Sequence, residues 1–286
     1  MDSTDFGESI RHVSAFAALA EYAESSPHNE MDYKMTGGNV RLAEEFAKRI
    51  GNMNIRLLSQ VDTITQRKGR VALTTFNVLP KGPGLVPPID LRQTFYADAV
   101  ICTVPIQSLL KIKFDPPLPP RQYEAAQELT YARICKNSVL YDERFWRAEN
   151  FSMVSDTTSH YYFHSTQNQP GRQGILTSYA IGEKADVLAS QSDERRMKIV
   201  AGDLVDFNEH APRLARGIAS YAWQRDPYTD GAYALYRPGQ WFTIRPILQR
   251  PHGKVLFAGE HLADWQGFME GAIETGEAAA ADLIRD

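Results

Sequence analysis

Four segments of the chain carry apolar residues at helical spacing, with polar residues between them. The segments are residues 1–25, Val40–Ile50, Ser192–Asn208 and Gly271–Ile284. Gly51 directly follows the second segment, and a glycine in this place is typical of a helix C-terminus. Ser192 precedes an acidic first turn in the third segment, which favours a helix N-terminus there. The spacing therefore predicts four helices.

Other runs have the alternating or continuous apolar pattern of strands. The runs are Ile55–Leu58, Val71–Phe76, Ala97–Pro105, Arg133–Tyr141, Tyr161–Ile181 and Lys254–Ala258. The continuous run Ala97–Pro105 predicts a strand buried on both faces, whereas the alternation between Arg133 and Ile181 predicts an antiparallel sheet. We therefore expect a mixed α/β (α+β) fold, in which a three-layer part is interleaved with a mostly antiparallel part.

Composition and charge exclude several classes of protein. The chain has 286 residues, enough for one large domain or two ordinary ones, with 43% hydrophobic and 23% charged residues. A net charge of -4 argues against nucleic-acid binding, and no apolar run is long enough for a membrane span. The acidic N-terminus lacks the features of a secretory signal, and the two cysteines form no disulfide framework. We expect a cytoplasmic protein without a metal site.

The most informative segment runs from Val255 to Glu277. It combines a short strand, a glycine turn with the carboxylate of Glu260, a loop with two aromatic residues, and a helix with a glycine-rich start. The N–H groups at a helix N-terminus are unpaired and carry partial positive charge, so they can hold an electron-rich group. Gly267 and Gly271 would let the backbone approach a flat ring closely. Packing of small residues alone is the alternative explanation.

This segment closely resembles the C-terminal signature of the flavin-containing amine oxidases, which include monoamine, polyamine and L-amino-acid oxidases. The resemblance implies an FAD cofactor whose ribityl or pyrophosphate region bonds to Glu260. It also implies that backbone amides around Met269 face the flavin pyrimidine edge, where negative charge develops on reduction. The cofactor-binding residues that it implies here are Gly259, Glu260, Gly267, Phe268, Met269, Glu270, Gly271 and Ala272.

Other parts of the chain match the same family in the same order. Gly37–Leu42 resembles the family's Gly-Gly-x-x-x-Leu turn and helix, and Val61 falls where the family places a backbone contact to adenine. The resemblance implies part of a Rossmann-like FAD-binding domain, interleaved with an antiparallel-sheet substrate domain. The implied substrate-domain segments are residues 1–30 and 116–225, and the implied FAD-domain segments are residues 31–115 and 226–286.

Lys136 interrupts a predicted strand and is the candidate catalytic residue. A lone lysine on a strand is usually a solvated side chain. However, the segment that runs from Tyr131 to Phe145-Trp146 is similar to an amine-oxidase segment in which a lysine holds a water against flavin N5. An ammonium beside a flavin can orient water and tune the reaction of the reduced cofactor with oxygen.

Aromatic residues are implied to shape the substrate pocket. Tyr233 and Phe268 match the two walls of the family's aromatic cage, and Trp223 opens the segment that carries Tyr233. Aromatic faces can steer an amine and exclude water. Ala232 stands where some monoamine oxidases carry the cysteine that bonds FAD covalently, so we expect non-covalent FAD.

The expected substrate is an L-amino acid, with a primary amine or polyamine as the alternative. Phe268 lacks the hydroxyl of the monoamine-oxidase tyrosine, and Ser178–Ala185 looks like the L-amino-acid oxidase branch. In that branch a tyrosine helps to hold the substrate carboxylate, and Tyr162 is the candidate here. The reaction would then be oxidative deamination with release of hydrogen peroxide.

The dinucleotide fingerprint Gly-x-Gly-x-x-Gly occurs nowhere in the sequence. We therefore expect the N-terminal βαβ unit to be absent and the isolated chain to bind FAD weakly or not at all. A separate N-terminal chain, a cleavage event or a truncated gene product would each explain this pattern. The completed enzyme is expected to be a homo-oligomer, and a non-catalytic homologue or interaction subunit is the alternative.

Overall fold

The computed structural model describes residues 2–3, 6–24, 35–77 and 92–285. The helices are α1 Ala15–Glu24, α2 Val40–Ile50, α3 Ile106–Leu109, α4 Pro120–Glu128, α5 Gly182–Ala189, α6 Asp193–Gly202, α7 Ala211–Leu214, α8 Gln240–Thr243, α9 Arg245–Leu248 and α10 Met269–Arg285. Short 3₁₀ helices span Ile10–His12, Asn52–Asn54, Trp223–Arg225 and Glu260–Leu262.

The strands in the described residues are mostly short. They are β1 Asp2–Ser3, β2 Glu8–Ser9, β3 Ser59–Arg67, β4 Arg70–Asn77, β5 Arg92–Ala97, β6 Val100–Cys102, β7 Lys113–Asp115, β8 Thr130–Ala132, β9 Ile134–Tyr141, β10 Ser152–Val154, β11 Tyr161–His164, β12 Gly174–Ile181, β13 Ala215–Ala222, β14 Ala232–Leu235 and β15 Val255–Phe257. The predicted mixed α/β class is confirmed.

The chain forms two compact units, and each consists of two stretches of sequence. Unit 1 comprises residues 1–15 and 129–241, and unit 2 comprises residues 16–128 and 242–286. The units therefore change near residues 15, 128 and 241, whereas the sequence placed the domain changes near residues 30, 115 and 225. The assignment of the predicted domains to flavin and substrate remains a proposal.

Unit 1 is built on a five-stranded antiparallel sheet in the order β10-β11-β12-β9-β13. Helices α5 and α6 pack on one face of this sheet, and they enclose the main apolar core of the unit. Because side chains alternate along a strand, Cys135 and Val139 of β9 enter this core while Lys136 lies on the opposite face. The antiparallel sheet predicted between Arg133 and Ile181 is thus present.

Unit 2 contains a mixed four-stranded sheet in the order β5-β4-β3-β7 and a parallel pair, β6 and β15. The hairpin between β3 and β4 turns at Lys68 and Gly69, which both have positive φ, as the predicted turn requires. β15 leads through a short turn into α10, the longest helix among the described residues.

Two predicted strands are wrong in their limits. Ile55–Leu58 is not a strand, because Leu58 has a φ of 57° and β3 begins only at Ser59. The run Ala97–Pro105 contains two strands instead of one. β5 ends at Ala97, the exposed Asp98 lies in the bend, and β6 then pairs in parallel with β15. Asp98 stays exposed to solvent, and it therefore divides into two strands the run that its apolar composition predicted as one.

Helix α2 has the predicted limits, and Gly51 at its end has a φ of 86°. None of its residues is buried, and Val40, Phe46 and Ile50 on its apolar side stay exposed. In the part of the chain that the structure describes, no helix has both the length and the apolar character that crossing a membrane requires.

Candidate functional site

The connection from β15 to α10, residues 258–268, is here called the glycine turn. Gly259 at its start has a φ of 143°, and a Cβ atom there would lie 2.6 Å from the His261 ring. Only glycine suits such a position, since side chains rarely adopt this φ. A 3₁₀ helix, Glu260–Leu262, follows directly and buries His261 and Leu262.

Hydrogen bonds fix the glycine turn to itself and to α10. The Gly267 N–H donates to Glu260 Oε2 over 2.8 Å, so the carboxylate closes the turn. The Gly259 N–H donates to Thr275 Oγ1 over 2.9 Å, and this hydroxyl also contacts the Gly271 carbonyl oxygen over 3.0 Å. The turn thus carries a carboxylate and a backbone whose conformation is set from within α10.

Small residues and exposed backbone characterise the start of α10. A Cβ atom on Gly271 would collide with the backbone carbonyl of Trp265, so no larger residue fits there. The rings of Trp265 and Phe268 lie 4.8 Å apart, while Met269 and Glu270 face solvent. The first-turn N–H groups of this helix are therefore presented beside two aromatic rings.

The glycine turn also contains a polar atom that needs a partner. Gln266 is buried, and its Oε1 oxygen makes no hydrogen bond within the described structure. An unsatisfied buried acceptor is costly, so such a group indicates a ligand or water. A flavin supplies both N–H and hydroxyl donors and a flat ring, which suit this acceptor and the small residues around it. The site therefore fits the cofactor that the resemblance implies.

His261 is the one histidine of the glycine turn. Burial lowers the pKa of its imidazole to about 4, because the charged form loses its hydration. The side chain is therefore neutral at pH 7 and adds no positive charge to the glycine turn.

Val61 lies in β3, also in unit 2. The pairing of β3 with β4 shifts register between Val61 and Thr63, which marks a β-bulge. Bulges leave backbone groups outside the ladder and often occur next to binding sites. The predicted contact of the Val61 backbone with adenine remains a prediction.

Lys136 lies in unit 1, at the centre of a row of aromatic side chains. Four strands place Tyr161, Tyr179, Lys136 and Tyr221 opposite one another, in that order across the sheet. All four side chains therefore belong to the same sheet face, which we call the lysine face. The Lys136 Nζ atom lies 5.1 Å from the centroid of the Tyr179 ring.

The ammonium group of Lys136 has an altered acidity. Surrounding protein atoms remove part of its hydration and lower its pKa below that of a free lysine, although the residue is exposed to solvent. The π-face of Tyr179 offers the cation partial compensation. Lys136 is thus held near neutral aromatic groups instead of a carboxylate.

Two tyrosine hydroxyls meet beside Lys136. The hydroxyls of Tyr179 and Tyr233 are 3.2 Å apart. Tyr233 has a φ of 44°, an uncommon value for a non-glycine residue, and its ring packs with Trp223 against Ile134 and Ile181. Such conformations persist only where packing imposes them, and they cluster at functional sites. The structure therefore brings together three predicted residues, Lys136, Trp223 and Tyr233, while Phe268 belongs to unit 2.

The position of Tyr162 does not suit its predicted role in holding the substrate carboxylate. Its side chain points to the face opposite Lys136, is completely buried in the core, and its hydroxyl donates to the Val200 carbonyl over 2.8 Å. A one-residue difference along a strand exchanges the two faces of a sheet. Tyr179, on the lysine face, is partly exposed, and its hydroxyl lies next to that of Tyr233.

Sequence patterns missed three residues that the structure brings into these sites. Gln266 and Thr275 lie in the C-terminal segment, but their residue types carry no signal without knowledge of their partners. Tyr179 lies within Ser178–Ala185, the segment that the resemblance connects with the substrate. The alternation of side chains along β12 indicates Tyr179 only after the sheet face of Lys136 is known.

Comparison with known proteins gives a consistent result. Residues 3–284 match the family model of the flavin containing amine oxidoreductases. An L-amino-acid oxidase from Siganus canaliculatus is 28% identical over 278 residues, which cover 94% of this chain and 51% of the relative. The flavin-containing amine oxidase A of Bos taurus is 25% identical, over 88% of this chain and 46% of the relative.

Solved structures agree on the fold. Putrescine oxidase bound to putrescine is similar with a TM-score of 0.74 and 23% identity, over 87% of this chain and 53% of that protein. Cyclohexylamine oxidase from Brevibacterium oxydans has a TM-score of 0.72 and 21% identity, over 86% of this chain and 52% of that protein. The chain thus spans about half the length of the proteins that it matches.

Proposed function

Because the chain belongs to the flavin-containing amine oxidoreductase family, we propose that it forms the flavin-facing and substrate-facing walls of an FAD-dependent L-amino-acid oxidase. The proposed reaction is oxidative deamination of an L-amino acid, with release of hydrogen peroxide. The observation that carries this proposal is the lysine face, where Lys136 has a lowered pKa beside the paired hydroxyls of Tyr179 and Tyr233.

The flavin would be held by the glycine turn and the start of α10. First-turn N–H groups from Met269 onward would donate to the electron-rich edge of the ring, and Gln266 Oε1 would accept from it. Glu260, whose carboxylate already closes the turn, would bond the ribityl or pyrophosphate region. When bound, the flavin would supply the two-electron acceptor. Ala232 offers no nucleophile, which supports non-covalent binding.

Lys136 would hold a water molecule and stabilise negative charge near the flavin. Loss of part of its hydration lowers the pKa of its ammonium below that of a free lysine, which favours proton exchange with a bound water. The ring of Tyr179 fixes the direction of the ammonium without neutralising it. A carboxylate partner would have removed this property by stabilising the charged form.

The paired tyrosine hydroxyls support an amino acid as the substrate. A substrate carboxylate that enters a dry pocket needs hydrogen-bond donors and a cation. Tyr179 replaces Tyr162 as the proposed donor, since its hydroxyl has Tyr233 as a neighbour and lies on the face of Lys136. The relative from Siganus canaliculatus, an L-amino-acid oxidase, supports the same substrate class.

The adenine-nucleotide cradle of the complete site is proposed to come from polypeptide other than these 286 residues. The sequence has no Gly-x-Gly-x-x-Gly, and the apolar side of α2 is uncovered. In addition, β6 and β15 form a parallel pair to which no further described strand is added. Parallel sheets are normally larger and covered on both faces, so further α/β polypeptide would complete this unit.

A primary amine or diamine is the second candidate substrate. The aromatic residues Trp223 and Tyr233 pack on the unit that carries Lys136, and aromatic faces attract amines as well as amino acids. The structural neighbours that bind putrescine and oxidise cyclohexylamine favour this alternative.

Matched substrate pairs distinguish the two candidates. Peroxide release would be measured with chain purified from its own cells, so that any polypeptide that completes the site stays bound. L-Ornithine against putrescine and L-phenylalanine against phenethylamine differ only in the carboxylate. We expect faster turnover of both amino acids; equal or faster turnover of the amines would assign the amine class. Flavin-free protein without activity towards any of them would identify a non-catalytic homologue.

A further inference from the structure

Two side chains outside the glycine turn converge on one of its carbonyl groups. Arg245 donates to the Leu262 carbonyl oxygen from Nε over 3.2 Å and from Nη2 over 3.0 Å. Gln249 donates to the same oxygen from Nε2 over 2.9 Å. Three N–H groups therefore donate to the Leu262 carbonyl oxygen, which has two lone pairs, and two of these donors belong to the charged guanidinium of Arg245.

Arg245 also has a second contact on the same segment. Its Nη2 atom lies 2.6 Å from Asp264 Oδ1, and its side chain is mostly buried. A planar guanidinium that bonds a carbonyl and a carboxylate together fixes both in direction as well as distance. The link between the region of α9 and the glycine turn is thus specific in geometry.

The anchored carbonyl is close in sequence to the residues assigned to the flavin. Leu262 lies two residues after Glu260 and ends the 3₁₀ helix, in which the Leu262 N–H donates to the Gly259 carbonyl oxygen. Thr275 holds Gly259 from the side of α10. The glycine turn is therefore fastened at both ends of its 3₁₀ helix, by Thr275 of α10 and by Arg245 and Gln249.

We propose that Arg245 and Gln249 are positioning residues, which hold the glycine turn in the conformation that presents Glu260 and the start of α10 to the flavin. A segment with glycines at 259, 267 and 271 loses much conformational freedom when it becomes ordered. Donors that must be correctly placed before the ligand binds need such support from neighbouring side chains. This proposal rests on the proposed function for the flavin, but not on the substrate class.

Hydrogen exchange of the flavin-free chain tests the anchoring itself. R245M should raise the exchange rate of amides in residues 258–268 by about 10- to 100-fold, and Q249L by about 2- to 10-fold. R245K should give an intermediate rate, because lysine keeps the contact with Asp264 but lacks the forked donors. R144M is the matched control, since Arg144 donates to the carbonyls of Thr166, Gln169 and Gln173 in unit 1.

The control should raise exchange around residues 166–173 and leave the glycine turn unchanged. Saturation-transfer NMR with millimolar FAD then tests the role in binding, and R245M should reduce transfer to the isoalloxazine protons at least about fivefold. Unchanged exchange of the turn in both R245M and Q249L would overturn the proposal. If both variants loosen the turn but R245M leaves transfer to the isoalloxazine protons unchanged, the anchoring stands and the assignment of the turn to the flavin is wrong.

Discussion

The glycine turn and the lysine face are built in opposite ways. Contacts of the glycine turn end mainly on backbone atoms: Thr275, Arg245 and Gln249 all bond its N–H or C=O groups. The lysine face depends on side chains from separate strands, such as the ring contact of Lys136 with Tyr179. One region is fixed in conformation, whereas the other is defined by which side chains share a sheet face.

This difference has a physical consequence for the response to change. A larger or charged side chain does not fit in the glycine turn or at the start of α10, because protein atoms closely surround Gly259, His261 and Gly271. Side chains on the lysine face are partly exposed, so their substitution should alter chemistry more than stability. Four experiments test this contrast, in order of the expected effect on the free energy of unfolding.

The largest effect is expected from acidification. The pKa of His261 is about 4 in the folded chain and near 6.5 when exposed, so the unfolded chain binds more protons between these values. Stability should therefore fall as pH falls from about 6.5 to 4, by about 3 kcal/mol from this group. Urea unfolding at several pH values measures the slope, and H261L should flatten it. An identical slope in H261L would assign the loss to other groups.

Gly271→Ala should destabilise the chain by about 1–3 kcal/mol, because its Cβ atom would overlap the Trp265 carbonyl. Gly276→Ala in the same helix is the matched control. A Cβ atom there meets nothing within 4 Å, so alanine should add about 0.5–1 kcal/mol of stability. Thermal and urea unfolding compare the two. If both variants were stabilised, the glycine turn would have more room than the structure shows.

Tyr162→Phe and Tyr179→Phe compare the two faces of the sheet in unit 1. Loss of the buried bond from Tyr162 to the Val200 carbonyl should cost about 1–2 kcal/mol. Tyr179→Phe should cost about 0.5 kcal/mol or less but weaken the preference for amino acids over amines. Unfolding curves and the peroxide assay measure both. A change of substrate preference in Tyr162→Phe alone would return the substrate role to Tyr162.

Lys136→Met should have the smallest effect on stability and a large effect on flavin chemistry. Lys136 is exposed and the pKa of its ammonium is lowered by partial loss of hydration, so methionine removes a group whose charged form gains little from the fold. The midpoint of unfolding should therefore stay equal or rise. Stopped-flow measurement of flavin reduction and reoxidation gives the other half of the test. Unchanged rates would show that Lys136 is structural.

The contrast also explains how far the sequence predicts this protein. Local features were predicted well: α2 with Gly51, the cap of α6 by Ser192, whose hydroxyl accepts from the Arg195 N–H, and the strand, turn and helix that end the chain. These depend on neighbours within a few residues. The glycine turn belongs to this class, so its residues were identifiable in one segment.

Features that depend on distant partners were predicted less well. Tyr162 and Tyr179 differ in environment because the register of β11, β12 and β9 decides which face each occupies. Sequence alternation does not fix that face when both sides carry aromatic residues. For the same reason the contacts of Arg245 and the unsatisfied buried oxygen of Gln266 became evident only in three dimensions.

Saturation-transfer NMR on the purified chain with millimolar FAD tests the central claim most directly, because it detects weak binding and identifies the part of the ligand in contact. The chain has the glycine turn but no dinucleotide fingerprint. We therefore predict the strongest transfer to the isoalloxazine protons and weaker transfer to the adenine protons. Equal transfer to both ends, or stronger transfer to the adenine protons, would contradict the assignment of this chain as a flavin-facing wall.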